Sequence, residues 1–182
     1  MLKLDTLIPW EEVKQAVTKL SNGKSPGLND IPPGAFKALD SQNLLTFLDF
    51  LNSYWLEEID FGEWNEGQLV PVPKSGDLGD TNKWIGVTLM DMGSKIFISI
   101  LCTRLFKIIK KHGVKYQFGS TSGVGCQDCS FRIKTMLHLR YNNNLPKFVM
   151  FANIVKAFDT SNHKLMSEIL KKYGCPQNYV LQ

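Results

Sequence analysis

The sequence predicts an α+β fold dominated by helix, and three observations carry that prediction. Five stretches place apolar residues at helical spacing, within Val13–Leu20, Leu44–Trp55, Ile96–Ile108, Phe131–Leu139 and Leu165–Leu170. Three runs of β-favouring residues, Leu69–Pro73, Trp84–Leu89 and Phe148–Phe151, are too short to be helices on their own. Segments dense in Gly and Pro separate the two patterns. The 182 residues suffice for one core and roughly one domain.

In chain order, Pro9 and Trp10 open a first helix with Val13, Ala16, Val17 and Leu20 inward, Lys14, Gln15 and Lys19 outward, and Asn22-Gly23 as its stop. The following GKSPGLNDIPPGAFKAL is expected to be loop throughout. Its backbone amides together with Lys24 offer a cradle for phosphate, and a rigid connector is the plainer alternative. An amphipathic helix follows from about Ser41 to Leu56, its aromatic residues read as core, and Gly62, Trp64 and Gly67 break it. Pro71 and Pro73 confine the next extended run to an edge or irregular strand, before a polar turn at Lys74, Gly76 and Asp77. The strand Trp84–Leu89 then leads into a long helix that Gly113 ends, and the helix around Phe131–Leu139 stops near Asn142–Asn144. Phe148 to His163 reads as buried strand, tight crossover and helix start. Asp159, Thr160, Ser161 and Asn162 are all N-cap types, with Asp159 the expected cap, and Gly174 closes the last helix.

Composition excludes several classes. At 43% hydrophobic and 21% charged the chain is neither disordered nor membranous, and no apolar run approaches the roughly 18 residues of a membrane span. The N-terminal MLKLDTLIPWEE has no signal-peptide apolar region, so an intracellular location, nuclear or cytoplasmic, is expected. A net charge of +4 permits nucleic-acid contact without demonstrating it. The basic group Lys107, Lys110, Lys111 and Lys115 reads equally as a solvated helix end. Cys126 and Cys129 form a lone C-x-x-C with no second pair at zinc spacing, and His112, His138 and His163 are isolated, so reduced thiols and no metal role are expected.

The string FVMFANIVKAFDTSNH (Phe148 to His163) resembles motif A of the reverse transcriptases of non-LTR, LINE-type retrotransposons: an apolar strand, Asp, two variable residues, then Lys-Ala-Phe-Asp. Three further segments match that family in order. Gly23, Lys24, Ser25, Pro26, Gly27, Ile31 and Pro32 fit its opening loop, with Asn29-Asp30 where Asp-Gly is usual. Pro71, Lys74, Gly76 and Asp77, then Gly86, Leu89, Lys95, Ile96 and Phe97, fit its turn, strand and helix. Gln117, Phe118, Gly119, Gly123, Gly125 and Asp128 fit its linker beside the template, with Ser120 and Thr121 at commonly basic positions. The resemblance implies helix-rich fingers over residues 1–146 and the first strand and helix of a right-hand polymerase palm over 147–182, truncated there.

It also implies roles. Lys74 and Phe158 fall at nucleotide-binding positions, Phe158 being the gate against a ribose 2′-hydroxyl; Lys24, Gln117 and Gly119 fall on the template side. Two positions depart from the pattern. Asn153 stands where the family's metal-binding Asp belongs, and Ile85 stands where its triphosphate-gripping Arg belongs. Nucleotidyl transfer uses two magnesium ions clamped by carboxylates. Asn153 brings a neutral amide, and no [FY]-x-Asp-Asp pair occurs before Gln182. Isoleucine has no donor for phosphate, unlike the planar fork of arginine. Magnesium therefore belongs to the intact family and is not expected to bind this chain well. The implied function is a fragment of an RNA-directed DNA polymerase, inactive by itself, whose partner is an RNA or DNA primer-template. A nucleic-acid-binding module without catalysis stays open, as does a protein-interaction domain that self-associates through an unpaired strand edge at Phe148–Phe151.

Overall fold

A computed structural model describes residues 4–57, 59, 61–74, 76–114, 116–176 and 179. The fold is α+β: α1 (Trp10–Lys19), α2 (Pro33–Ala38), α3 (Ser41–Trp55), β1 (Gln68–Pro73), β2 (Trp84–Leu89), α4 (Met92–His112), α5 (Cys126–Asn142) and α6 (His163–Lys172). Short 3-10 turns at Gly62–Asn65 and Thr81–Lys83 flank the strand pair. The chain divides into two compact units, one of residues 1–107 with 175–182, the other of residues 108–174.

The first unit holds the core. α1 buries Val13, Ala16 and Val17, α3 buries Leu44, Leu48, Leu51 and Trp55, and α4 contributes Met92, Ile96, Phe97 and Ile100. Aromatic rings tie these helices together. Phe97 meets Tyr54 edge-on at 5.1 Å between centroids, and Phe50 meets Trp64 at 5.4 Å. Such pairs add about 0.5–1.5 kcal/mol each beyond the area they bury. Asp40 caps α3 by accepting from Asn43 N at 2.8 Å. The segment before α1 is pinned to α3, since Ile8 N donates to Asn52 Oδ1 at 2.7 Å and Asn52 Nδ2 donates back to Ile8 O.

Arg104 sits among the apolar residues of α4 and is only 5% exposed. Its guanidinium is satisfied from the other end of the sequence. Nε donates to Glu12 Oε2 at 2.7 Å, Nη1 to the carbonyls of Leu4 and Thr6, and Nη2 to that of Leu7. A buried cation is tolerable only when paired and hydrogen-bonded in this way. Nearby, burial pushes the Tyr179 phenol up to about 12, with Arg104 pulling it down.

β1 and β2 pair antiparallel from Gln68↔Leu89 to Pro73↔Trp84. Lys74 N donates to Lys83 O at 2.6 Å and closes the hairpin one step further.

The second unit is built differently. Among its described residues Ile108 alone is buried. α5 and α6 bury none of their residues, although α6 places Leu165, Met166 and Ile169 on one side.

Several expectations need correction. Phe148–Phe151 forms no strand; it is open chain with Phe148, Met150 and Phe151 94%, 89% and 87% exposed. A strand needs a neighbour for its backbone groups, and no described strand pairs with this one. The strand edge expected there for self-association is therefore not formed. The cap of α6 is Asn162, whose Oδ1 accepts from Leu165 N at 3.0 Å, rather than Asp159. The Gly/Pro-rich loop contains α2, because Pro33 sits at the helix's first position, where its missing N–H costs nothing. The spacing within Ile96–Ile108 also puts Leu101 and Leu105 on the inner face, yet both are only partly buried, and Arg104 between them takes the inner position. Lys115 of the basic group lies outside the described residues.

Candidate functional site

In the first unit the expected site residues occupy two places. The strand pair carries Ile85 and Lys74. Ile85 faces Val72 across the pair and is 48% exposed, and Lys74 lies exposed just beyond the register. The connection between the strands is held locally: Gly79 N donates to Asp77 Oδ1 at 2.9 Å, and Trp84 Nε1 donates to Leu78 O at 2.9 Å. The turn is thus ordered by its own Asp and Trp, and Lys74 stays free of an ion pair among the described residues.

Lys24 lies in the opening loop, which is anchored on the N-terminal end of α4. Asp91 is 4% exposed, and its Oδ1 accepts from Asn29 N at 3.2 Å. A Cβ on Gly27 would overlap the backbone and carboxylate of Asp91, so only glycine fits there. Asn29 Oδ1 in turn accepts from Ile31 N at 3.1 Å. The family-like Ser-Pro-Gly loop therefore docks against α4 through a buried carboxylate. Sequence reasoning missed Asp91; the available signal was an Asp directly before the long helix. The same docking puts Lys24 beside Lys95 of α4 and Lys19 of α1 around a concavity of about 420 Å³.

In the second unit, Gln117 and Gly119 come together. Gln117 Nε2 donates to Gly119 O at 3.2 Å, and Gln117 O accepts from Thr121 Oγ1 at 2.9 Å. The guanidinium of Arg132 on α5 lies over Phe118 at 5.2 Å and over Tyr116 at 5.8 Å, a cation–π arrangement that fixes this turn to the helix. Asp128, matched to the family's linker, receives Gly125 N at 2.8 Å and so caps α5.

Asn153 stands exposed in open chain between α5 and α6. Lys156 adopts φ +49, and its carbonyl accepts from Thr160 N at 2.9 Å, so residues 156–160 close a single turn. Phe158 projects from that turn and is 93% exposed. Among the described residues no three His, Cys, Asp or Glu side chains are grouped to hold a metal ion. Asn153 itself offers a neutral amide, a poorer ligand for a hard dication than a carboxylate.

Comparisons with known proteins bear on the whole chain. No protein-family profile matches it. It is 25% identical over 98% of its length to the transposon TX1 uncharacterized 149 kDa protein of Xenopus laevis. It is 25% identical over 89% of its length to a probable RNA-directed DNA polymerase from transposon X-element of Drosophila melanogaster. A probable RNA-directed DNA polymerase from transposon BS of the same fly is 22% identical over 94% of the chain. The chain spans 14%, 18% and 19% of those proteins' own lengths. No helix among the described residues is long and apolar enough to cross a membrane. The alignments run most of the length of the chain, which is thus similar to a region of transposon RNA-directed DNA polymerases.

Proposed function

We propose that these residues correspond to the fingers (1–146) and the opening of the palm (147–182) of a LINE-type reverse transcriptase, and that they hold nucleic acid without performing nucleotidyl transfer. The carrying observation is Asn153 at the position of the metal-binding Asp. Ile85 at the phosphate-gripping position supports it, and Asp to Asn and Arg to Ile are each one base change away. Removing a carboxylate from a two-metal site takes away charge where the transition state needs it, which lowers rate by orders of magnitude. Lys24, Gln117 and Gly119 remain as the residues for primer-template contact and Lys74 as the cation at the nucleotide position, with Phe158 a relic of the sugar gate. Magnesium would be the cofactor of the intact relatives.

The test is magnesium-dependent primer extension. The chain itself is expected to give none. A version with Asn153→Asp and Ile85→Arg, continued through an Asp-Asp hairpin, is expected to regain extension. Activity in the unmodified chain would refute the proposal, and failure of the repaired version would remove its functional support.

A further inference from the structure

The concavity between α1, the opening loop and α4 has three lysines and no acidic residue among its lining residues. Lys19 comes from the last turn of α1, Lys24 from the loop and Lys95 from the first turn of α4. Ser21 and Ser25 add hydroxyls, and Pro33 closes one wall. Three like charges around one concavity of about 420 Å³ make it favourable to an anion. Lys95 is partly buried; desolvation holds its ammonium below the usual range, and the Asp91 carboxylate only partly offsets this. That carboxylate is itself engaged by Asn29 N, so it fixes the loop. The cradle is therefore preorganised: Gly27 admits close docking, Asp91 locks it, and Lys24 and Ser25 precede the locked turn.

We propose that Lys19, Lys24 and Lys95 form a phosphate subsite for a nucleic-acid strand. This deepens the nucleic-acid reading above and rests on it. The lining offers no ring to stack on and no side-chain amide to read a base edge. It recognises phosphate oxyanions alone, as a backbone contact that positions a strand without selecting its sequence. A free polyphosphate shares this chemistry, and the experiment separates the two sources.

On the full chain, lysine acetylation by an N-hydroxysuccinimide ester is mapped by mass spectrometry, alone, with a single-stranded oligonucleotide and with tripolyphosphate. Lys19, Lys24 and Lys95 are expected to be slowed together, several-fold, by the oligonucleotide, while Lys171 and Lys172 keep their rate. In a parallel titration, Lys19→Gln and Lys95→Gln are each expected to flatten the dependence of log affinity on log salt by about 0.7, the value for one single-strand phosphate contact. Protection by tripolyphosphate but not by the oligonucleotide would overturn the strand assignment. Oligonucleotide binding with an unchanged salt slope and unprotected Lys19 and Lys95 would overturn the subsite while leaving the polymerase reading in place. No oligonucleotide binding at all would sink both the subsite and the nucleic-acid part of that reading. The protection experiment uses the unmodified protein, so a variant that fails to fold does not remove the test.

Discussion

The two units of this chain spend similar kinds of residue very differently. The first, residues 1–107 with 175–182, closes α1, α3 and α4 on a continuous core around Trp55, Leu51 and Ile96, each at 0% exposure. The second, residues 108–174, leaves Phe131 71%, Phe148 94% and Phe158 93% exposed. An apolar side chain stabilises a fold only by the surface it removes from water. The first unit thus carries the stability of the molecule, and the second carries aromatic and aliphatic surface that does little for its own fold.

That contrast can be broken or sharpened by substitution. Trp55→Ala should lower unfolding free energy by about 3–5 kcal/mol in urea denaturation. A loss under about 1 kcal/mol would mean that the aromatic cluster is not the core. Arg104→Ala should cost about 3–5 kcal/mol, since it strands Glu12 and three carbonyls that now share one guanidinium. A near-neutral result would show that the N-terminal segment holds without it.

Alkaline titration gives a third test. The Tyr179 phenol is pushed up to about 12 from its usual 10, chiefly by burial, so the folded state disfavours the phenolate. Its contribution is complete below pH 10 and is lost as pH rises through about 12. Tyr179→Phe should therefore resist alkaline unfolding better than the parent, and identical alkaline midpoints would contradict the burial. Asp40→Ala, which removes the cap of α3, should cost about 1 kcal/mol. Phe148→Ser in the second unit should change stability by no more than about 0.5 kcal/mol. A large loss there would erase the contrast between the units.

Legibility from sequence followed the same division. Where apolar spacing and burial agree, as in α1 and α3, both the element and its inner face could be read directly; Val13, Ala16, Val17, Leu44, Leu48 and Leu51 are buried as their spacing implies. The edge strand with Pro71 and Pro73 and the partner from Trp84 to Leu89 were legible because proline and β-branched residues constrain the backbone locally. Phe148–Phe151 was not, because composition gives a preference for strand while pairing needs a partner elsewhere. Arg104 and Asp91 were missed for a related reason. Their partners lie 92 and 62 residues away in sequence, and no local pattern announces a pairing at that range. Asn153 and Ile85 were read only through the resemblance, as neutral residues at positions where that family carries a charged one, and the fold has no part in that reading.

One consequence of the hairpin concerns growth. Lys74 N points to Lys83 across the pair, so in the alternating order of an antiparallel ladder the amide positions of residues 71 and 73 point away from β2. Both are proline and have no hydrogen to offer. A newcomer strand laid alongside β1 would find bare acceptors at two successive positions, whereas the far side of β2 still offers the amides of Gly86 and Thr88. An added strand would forgo two hydrogen bonds on the β1 flank and none on the β2 flank, so growth of this hairpin is favoured on the β2 side.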